Sequence, residues 1–383
     1  MAIFTVQGIE FEADLTSDPT DAAMTVRSVP RPYEVEFPSR ESPRDVVESL
    51  TAASAHPLVL ADTRVLSTHL DGLPDFDPAS VLPVESTERF KSVDGALSVL
   101  RFLDERRMGR GSLLVVVGGG IVQDVGAFSA CVYKRGVPWA YVPTTLLAQA
   151  DSCIGAKSGL NFNGAKNLVG VFSAPRRVTI HTGFLGTLSE DDIVSGLGEI
   201  YRLSIIGGPR SLAIFEAHVV NATSYSAPDL EVLVRLALTI KRSVIERDEY
   251  ELDLRRSMNF GHTVGHALEA ITDHAIPHGT AVAIGVLVES QMSLDQGVLP
   301  EADWQRLLHL GRPLIKAAVR ARLAEVNFDL LLQVLFQDKK AEGAVLKLVI
   351  PERVGSIRFE NLPLEPETVP RIRGAVHAVL DQL

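Results

Sequence analysis

Histidines are concentrated in one segment, SMNFGHTVGHALEAITDHAIPHG, which holds four of the ten in the chain. His262 and His266 are four residues apart, so they share a face if the segment is helical. His278 lies in PHG, a plausible helix start, and Glu199 lies in SGLGEIYR. Zinc and similar ions prefer imidazole and carboxylate ligands, which makes these side chains a candidate metal site. The spacing is equally compatible with core or surface histidines, and it does not say which of the paired histidines is a ligand.

A glycine-rich turn offers a second kind of chemistry. The segment SLLVVVGGGIVQDVGAFSA predicts a strand, three glycines and the start of a helix. Glycines allow a pyrophosphate to approach the backbone, and a helix N-terminus supplies free N–H groups. Asp124 is placed either to cap this helix or to contact a ribose or nicotinamide amide. Thr144 and Thr145 in VPTTLL form another polar break at a strand end, where open α/β sheets bind ligands. The alternative is a tight turn without a ligand.

A third segment, ADSCIGAKSGLNFNGAKNLVG, combines glycines with Asp151, Lys157, Lys166 and Asn167. We interpret it as a loop. Lysines among glycines suit a phosphorylated or carboxylated substrate, because an ammonium group is a compact point charge. The alternative is a solvated basic loop.

The elements that must position these residues change character along the chain. Short apolar runs such as HPLVLADT, GSLLVVVGGG, WAYVPTTLL and RRVTIHT alternate with helical patterns such as DGALSVLRFLDERRMG, which predicts a parallel α/β sheet. Beyond about residue 185 the patterns are helical, except for an antiparallel hairpin in AVLKLVIPERVGSIRFE. We therefore predict an N-terminal arm or short hairpin over residues 1–30, an α/β domain over 31–185 and a mainly helical domain over 186–383.

Composition limits the partners of the chain. It has 383 residues and a formal net charge of −11, which argues against nucleic acids and anionic membranes as partners but permits a small anionic substrate in a local basic pocket. Two cysteines, Cys131 and Cys153, do not make a disulfide framework and indicate a reducing compartment. We expect a cytoplasmic protein without a membrane span, because the chain contains no apolar run of about 18 residues.

Taken together, the motifs resemble the sugar phosphate cyclases, the family of 3-dehydroquinate synthase, from about Tyr33 to about Glu360. They occur in the family's order and with close spacing: ERFKS, GGGIVQD, YKRGV, VPTTLL, ADSCIGAKSG, GAKNLVG, SGLGEIYR, NFGHTVGHALE, PHG and QDKK. The resemblance implies a dehydroquinate synthase-like fold, with a Rossmann-type NAD-binding α/β domain, a helical metal-binding domain and a homodimeric assembly.

The resemblance also implies roles for individual residues. The metal, zinc or cobalt, would be held by Glu199, His262 and His278, which moves His266 to the phosphate pocket and leaves His274 as a surface or loop histidine. Substrate would be bound by Arg135 (from the partner subunit), Lys157, Lys166, Asn167, Lys241, Arg255, Asn259, His266 and Lys339 or Lys340. Catalytic groups would be Asp151, Lys157, Arg202, Lys241, Asn259 and His266. NAD would contact Asp62, Glu88, Lys91, Gly119, Gly120, Asp124, Thr144, Thr145, Phe184 and Thr187.

The chemistry implied is a cyclisation of a phosphorylated ketose that resembles 3-deoxy-heptulosonate 7-phosphate. The substrate is transiently oxidised, which acidifies the adjacent C–H and lets phosphate leave. It is then reduced again, opens and closes to a carbocycle by an intramolecular aldol step. The redox cofactor is regenerated, so there is no net oxidation.

The residues that distinguish one type of cyclase from another point in two directions. Lys241 and Arg255 provide cations that would hold a substrate carboxylate, as a dehydroquinate-type enzyme needs. Arg202 replaces the family's lysine, and Thr280 follows PHG where a glutamate is usual. These departures, together with GAKSGLNFNGAKN, suit a cyclase of secondary metabolism, of the amino-dehydroquinate, 2-epi-5-epi-valiolone or 2-deoxy-scyllo-inosose type.

Two rival classes stay open at this point. An iron-type polyol dehydrogenase shares the two-domain layout and the glycine turn, but it lacks the lysine-rich GAKSG…GAKN segment. A relative that only binds a metabolite is the other rival, and Arg202 is the residue that best supports it.

Overall fold

The computed structural model describes residues 1–15, 22–38, 41–71, 76–219, 227–337, 345–363 and 368–383, and the predicted substrate residues Lys339 and Lys340 lie outside them. The chain divides into two compact units, Ser17–Ser189 and the combination of Met1–Thr16 with Glu190–Leu383. The division thus falls four residues after the predicted boundary at 185. The start of the predicted N-terminal arm belongs to the same unit as the helical region.

The unit Ser17–Ser189 is built on a seven-stranded sheet of order β3-β4-β11-β8-β7-β5-β6, parallel except for the β3–β4 pair. Its strands are β3 (Ala23–Val26), β4 (Tyr33–Glu36), β5 (Pro57–Asp62), β6 (Val81–Val84), β7 (Leu113–Gly118), β8 (Trp139–Pro143) and β11 (Arg177–Thr179). Its helices are α1 (Pro43–Ala52), α2 (Thr63–His69), α3 (Val93–Glu105) and α4 (Gly120–Val132). The parallel α/β prediction is confirmed.

The central strands are apolar throughout because helices cover both faces of a parallel sheet. Val59, Leu60 and Val116 are fully buried, and Val116 pairs with both Leu60 and Tyr141. The sheet core therefore explains why these strands appear in the sequence as continuous hydrophobic runs rather than alternating ones.

The lysine–asparagine segment is an antiparallel hairpin of β9 (Lys157–Phe162) and β10 (Ala165–Phe172), so its interpretation as a loop is wrong. Asn163 and Gly164 connect the strands with φ values of 50° and 78°. Two successive residues with positive φ match the tight turn that Asn-Gly favours between antiparallel strands.

The other unit is mainly helical. It contains α5 (Glu190–Ile206), α6 (Pro209–Val219), α7 (Ala227–Ile245), α8 (His262–Ile271), α9 (His278–Asp295), α10 (Glu301–Gly311), α11 (Ala317–Ala324), α12 (Phe328–Gln337) and α13 (Thr368–Leu380). His278 begins α9, as predicted from PHG. Among the described residues, no helix is long and apolar enough to cross a membrane. The cytoplasmic location stays a prediction.

A four-stranded sheet of order β12-β13-β1-β2 completes this unit. The predicted hairpin is confirmed as β12 (Val345–Arg353) and β13 (Ser356–Pro363), and the chain start forms β1 (Ala2–Val6) and β2 (Ile9–Ala13). β1 runs parallel to β13, with Thr5 opposite Ser356. Phe4 and Phe11 stack at 5.1 Å and are buried, so the N-terminal hairpin contributes to a core rather than extending as an arm.

Candidate active site

The helical unit brings the predicted metal ligands together around one carboxylate oxygen. Glu199 Oε1 lies 3.5 Å from His262 Nε2 and 3.2 Å from His278 Nε2. Among the described residues this buried oxygen has no hydrogen-bond partner of good geometry. One carboxylate oxygen and two imidazole nitrogens are ligands that a divalent ion such as zinc or cobalt binds.

Glycines allow the helices that carry these ligands to approach closely. A Cβ on Gly198 would lie 1.9 Å from the carbonyl oxygen of Gly279, so α5 and α9 touch through their backbones beside Glu199 and His278. Ser195 Oγ, on α5, accepts a 3.0 Å hydrogen bond from Gly279 N. This contact fixes the first turn of α9, where His278 lies.

The start of α8 is held in a similar way. Gly261 precedes His262 and has a φ of 79°, which only glycine adopts without cost. Its N–H donates a 2.8 Å hydrogen bond to Glu289 Oε2, and Glu289 is fully buried in α9. The orientation of His262 therefore depends on a carboxylate one helix away.

Arg202 is paired with the metal-site glutamate. Its Nε and Nη2 donate to Glu199 Oε2 at 2.8 Å and 2.5 Å, and both side chains are 1% exposed. Burial works to raise the pKa of Glu199, but the Arg202 guanidinium, with His262 and His278, holds that pKa well below its usual range. Glu199 is therefore an anion with one oxygen occupied and one available.

The two histidines differ in their proton affinity. Burial lowers the pKa of His262 to about 3, which keeps its ring neutral, as metal binding requires. Burial also acts to lower the pKa of His278, but hydrogen bonds to Glu199 and Glu269 outweigh it and raise the pKa to about 10. Glu269 Oε2 lies 2.9 Å from His278 Nδ1 and so orients the ring with Nε2 toward Glu199.

His266 lies beside the ligands. Its ring is 5.1 Å from that of His262 and 5.6 Å from that of His278, and the ligand atoms of the three histidines all lie within 4.8 Å of one another. The structure thus brings together both histidines of the i, i+4 pair, as the spacing alone suggested. His274 lies 3.7 Å from Glu269, and its side chain is 41% exposed.

The predicted substrate cations Lys241 and Arg255 are buried in the same unit, at 6% and 4% exposure. Arg255 lies in a 3₁₀ turn, Leu254–Asn259, and Nη1 of Arg255 donates to the Glu249 carbonyl oxygen. Asp248 was missed by the sequence analysis. Its carboxylate accepts the N–H groups of Leu252, Asp253 and Arg255, each at 2.9 Å.

Asn259 ends this 3₁₀ turn, and its Nδ2 donates a 2.8 Å hydrogen bond to Glu251 Oε1. Glu251 has a φ of 58°, an uncommon conformation for a residue other than glycine. Neither Asp248 nor Glu251 lies in a motif that sequence reasoning had singled out. In the sequence they are marked only by an acidic cluster, DEYELD, which precedes Arg255 and Arg256.

In the unit Ser17–Ser189, the predicted NAD residues follow the carboxyl ends of neighbouring parallel strands. Asp62 ends β5, Gly119 and Gly120 follow β7, and Thr144 and Thr145 follow β8. Strand ends at one edge of an open α/β sheet form the usual crevice for a dinucleotide. Gly119 precedes α4 without a side-chain cap, which leaves helix N–H groups for a phosphate.

Asp124 does not cap α4. It lies inside the helix, where its carboxylate pairs with Lys91 Nζ at 2.6 Å and accepts the N–H of Gly159 at 3.1 Å. Burial raises the pKa of Asp124 against the attraction of Lys91. Asp62 does cap a helix, since it accepts the N–H of Arg64 at 2.7 Å at the start of α2.

The β9–β10 hairpin is joined to Glu88 through Asn161. Asn161 Nδ2 donates to Glu88 Oε2 at 2.9 Å, and its Oδ1 accepts the N–H of Asn167 at 3.2 Å. Sequence reasoning missed Asn161 because it took the segment as a loop. Lys157 and Lys166 are exposed on the hairpin.

The remaining predicted residues of this unit differ in their setting. Asp151 lies in a π-helical turn, Ala148–Ser152. Arg135 is exposed and has a φ of 62°. Phe184 is 1% exposed and packs in the hydrophobic core. Thr187 Oγ1 lies 2.7 Å from Nε2 of His69, a residue that no motif had indicated.

Family models match most of the chain. Residues 81–195 match the model of the 3-dehydroquinate synthase N-terminal domain, and residues 196–341 match that of its C-terminal domain.

Individual relatives agree with these matches. The chain is 32% identical over 275 residues to a 3-dehydroquinate synthase of Acetivibrio thermocellus, covering 72% of this chain and 76% of the relative. It is 35% identical over 275 residues to a 2-epi-valiolone synthase of Actinosynnema mirum, covering 71% and 72%. A crystal structure of 2-deoxy-scyllo-inosose synthase complexed with carbaglucose-6-phosphate, NAD⁺ and Co²⁺ is similar in fold, with a TM-score of 0.79 at 22% identity over 94% of this chain and all of that one.

Proposed function

This chain belongs to the 3-dehydroquinate synthase family of sugar phosphate cyclases, and on that basis we propose that it cyclises a phosphorylated keto-acid sugar resembling 3-deoxy-heptulosonate 7-phosphate. The observation that carries the proposal is the cluster of Glu199, His262 and His278 in the unit that also buries Lys241 and Arg255. A divalent site and buried cations in one unit suit a substrate that carries both hydroxyl groups and a carboxylate.

We propose that Glu199 Oε1, His262 and His278 hold zinc or cobalt. The buried Oε1, which lies 3.5 Å from His262 Nε2 and 3.2 Å from His278 Nε2, supports this ligand set. When bound, the ion supplies Lewis acidity to substrate hydroxyl groups. Glu269 keeps His278 oriented, and Gly198 and Gly279 keep the two helices close.

We further propose that the sheet edge formed by Asp62, Gly119, Gly120, Thr144 and Thr145 binds NAD. The open N-terminus of α4 supports a pyrophosphate there. When bound, NAD supplies a reversible hydride acceptor for transient oxidation of a substrate hydroxyl. The other residues proposed to contact NAD are Glu88, Lys91, Asp124, Phe184 and Thr187. Asp151 is proposed to contact the substrate hydroxyl group that is oxidised.

The phosphate is held in this proposal by amide, imidazole and ammonium groups of Lys157, Lys166, Asn167, Asn259 and His266. The ammonium groups balance the negative charge of a leaving phosphate, and the amide and imidazole groups donate hydrogen bonds to it. Lys241 and Arg255 hold the carboxylate. The hydrogen bonds of Asp248 fix the turn that carries Arg255 and so support a fixed position for that cation.

A homodimer is part of the proposal, with Arg135 of each protomer reaching the site of its partner. Its exposed side chain and left-handed backbone are compatible with such a contact. Light scattering is expected to show a dimer, and an Arg135→Ala dimer is expected to have a raised KM for the phosphorylated substrate. A monomeric mass would contradict this part.

A cyclase of secondary metabolism is the second candidate. Arg202 in place of lysine and the buried Thr280 after PHG favour it. The sequence identity to a 2-epi-valiolone synthase is similar to that to a 3-dehydroquinate synthase. Sequence identity therefore does not distinguish a dehydroquinate-type substrate from a substrate of secondary metabolism.

The deciding experiment is phosphate release by metal-loaded protein with catalytic amounts of NAD. Three substrates are compared: the keto-acid heptulosonate phosphate, sedoheptulose 7-phosphate and glucose 6-phosphate. The proposal expects turnover of the keto-acid substrate, and preference for either of the others selects the second candidate. Release from none of them would overturn the cyclase assignment. Glu199→Ala and His278→Ala are expected to lose the metal, and retention in either would overturn the ligand set.

A further inference from the structure

Arg202 and Glu199 form a buried pair beside the proposed metal ligands. Two nitrogens of the guanidinium, Nε and Nη2, converge on the same oxygen, Glu199 Oε2. The third, Nη1, lies 3.9 Å from Met258 Sδ. The side chain is 1% exposed.

This arrangement does not suit a group that handles substrate. A guanidinium keeps its proton at any pH at which the protein is folded, so it serves neither as an acid nor as a base. Two of its nitrogens already donate to Glu199, and an arginine has no acceptor to offer. A substrate contact through these nitrogens would require the buried pair to break, which is costly because it leaves a buried charge without its partner.

The effect of the pairing on Glu199 is specific to one oxygen. Oε2 receives both hydrogen bonds from Arg202, whereas Oε1 faces the Nε2 atoms of His262 and His278 at 3.5 Å and 3.2 Å. A carboxylate without such a partner is able to bind a metal through one or both oxygens. The two hydrogen bonds from Arg202 therefore determine whether Glu199 binds a metal through one oxygen or through both.

We propose that Arg202 is a positioning residue that occupies Glu199 Oε2 and so restricts Glu199 to binding the divalent ion through Oε1 alone. The inference rests on the proposed metal site. Its chemical consequence is a ligand set whose single negative charge is balanced by the guanidinium. The ion then keeps more of its positive charge for the substrate hydroxyl groups, and coordination positions stay open for them.

Cobalt(II) is the probe for this proposal, because its visible spectrum and X-ray absorption report coordination number directly. Cobalt-loaded wild-type protein is compared with cobalt-loaded Arg202→Met, without substrate. The variant is expected to bind cobalt with an additional carboxylate oxygen neighbour and with a lower molar absorptivity of the d–d bands. The same spectrum and the same oxygen count in both proteins would overturn the proposal.

Arg235→Met is the matched control. Arg235 is also a buried arginine of this unit, and it pairs with Glu231 at 2.7 Å four residues away, with no histidine in the pair. Its cobalt spectrum is expected to match the wild type. If Arg202→Met does not fold, Arg202→Lys replaces it, since one ammonium leaves the carboxylate freer to rotate. A smaller shift in the same direction is expected there, and no shift would overturn the proposal.

The two proposals fail in different ways. If Glu199→Ala retains cobalt with an unchanged spectrum, the metal site itself is misassigned. If Glu199→Ala loses cobalt while Arg202→Met keeps the wild-type coordination, the metal site stands and the role of Arg202 is wrong.

Discussion

At the residue scale, carboxylates that bind no metal themselves support the proposed metal ligands. Glu269 holds His278 by its Nδ1, and Glu289 holds the N–H that precedes His262. Sequence reasoning reached Glu199, His262 and His278 because they occur in recognisable motifs. Glu269 lies seven residues after His262 and therefore on the same helix face. This spacing could have identified Glu269 as a partner of the histidines from the sequence alone.

Replacing Glu269 tests this support. Glu269→Gln is expected to weaken metal affinity by about 10–100-fold, because an amide orients the ring of His278 less strongly than a carboxylate. Competition with a chelator measures the effect. Glu231→Gln is the control, because Glu231 on α7 pairs with Arg235 rather than with a histidine, and it is expected to bind metal normally. Wild-type affinity in Glu269→Gln would mean that His278 is positioned by packing alone.

Asp248 gives a prediction about pH. Burial acts to raise its pKa, but three backbone hydrogen bonds outweigh this and lower the pKa. A carboxyl with a lowered pKa stabilises the fold above the usual carboxyl range, and the contribution is lost as pH falls through the lowered value.

Asp248→Asn is therefore expected to unfold more easily at pH 7, by roughly 1–2 kcal/mol. The difference from wild type is expected to shrink as the pH falls below about 4. Urea unfolding at both pH values measures it. A difference that stays constant with pH would show that the charge of Asp248 does not matter.

At the element scale, the sequence predicted the strands of the parallel sheet and the helices well. Buried strands appear as short apolar runs, and helices show apolar residues at three- and four-residue spacing. Sequence reasoning failed at the β9–β10 hairpin. Lysines and glycines obscured the alternation there, although Asn163-Gly164 is a strong signal for a hairpin turn. The close contact between α5 and α9 was not predictable either, since a glycine in a helix does not reveal its neighbour.

That contact predicts an asymmetry between two helical glycines. Gly198→Ala would place a methyl group 1.9 Å from the Gly279 carbonyl oxygen, whereas a Cβ on Gly374 in α13 meets nothing within 4 Å. Gly198→Ala is expected to destabilise the protein by about 3 kcal/mol and to lower metal affinity, because the helices must move apart. Gly374→Ala is expected to be neutral or stabilising by about 0.5–1 kcal/mol.

Chemical unfolding and metal titration of both glycine variants check this pair. Equal effects of the two substitutions would contradict the close approach of α5 and α9.

At the scale of the whole molecule, the two ends of the chain belong to the same unit. The N-terminal hairpin packs Phe4 and Phe11 into it, and the guanidinium of Arg247 lies 4.2 Å from the centre of the Phe11 ring. The sequence showed only a weak alternation here. The partner strand β13 lies too far along the chain for any local pattern to reveal it.

Removing the Phe11 ring therefore acts on the unit that holds the proposed metal ligands. Phe11→Ala is expected to cost about 3–5 kcal/mol and to speed amide exchange in β1, β2 and β13. Ile3→Ala, at an exposed position of the same hairpin, is expected to change little. Exchange measured by mass spectrometry tests this, and unchanged protection of β13 would contradict it.

The parallel pairing of β1 with β13 also has a consequence for biosynthesis. Thr5 hydrogen-bonds to Ser356, 351 residues later. At about 5–20 residues per second, a ribosome needs on the order of 20–70 s to deliver β13 after β1. During that time the hairpin has no sheet to join, and the apolar side chains of Phe4 and Phe11 face the surroundings of the nascent chain. The hairpin is therefore synthesised long before the strand with which it pairs, so Phe4 and Phe11 reach their final environment late.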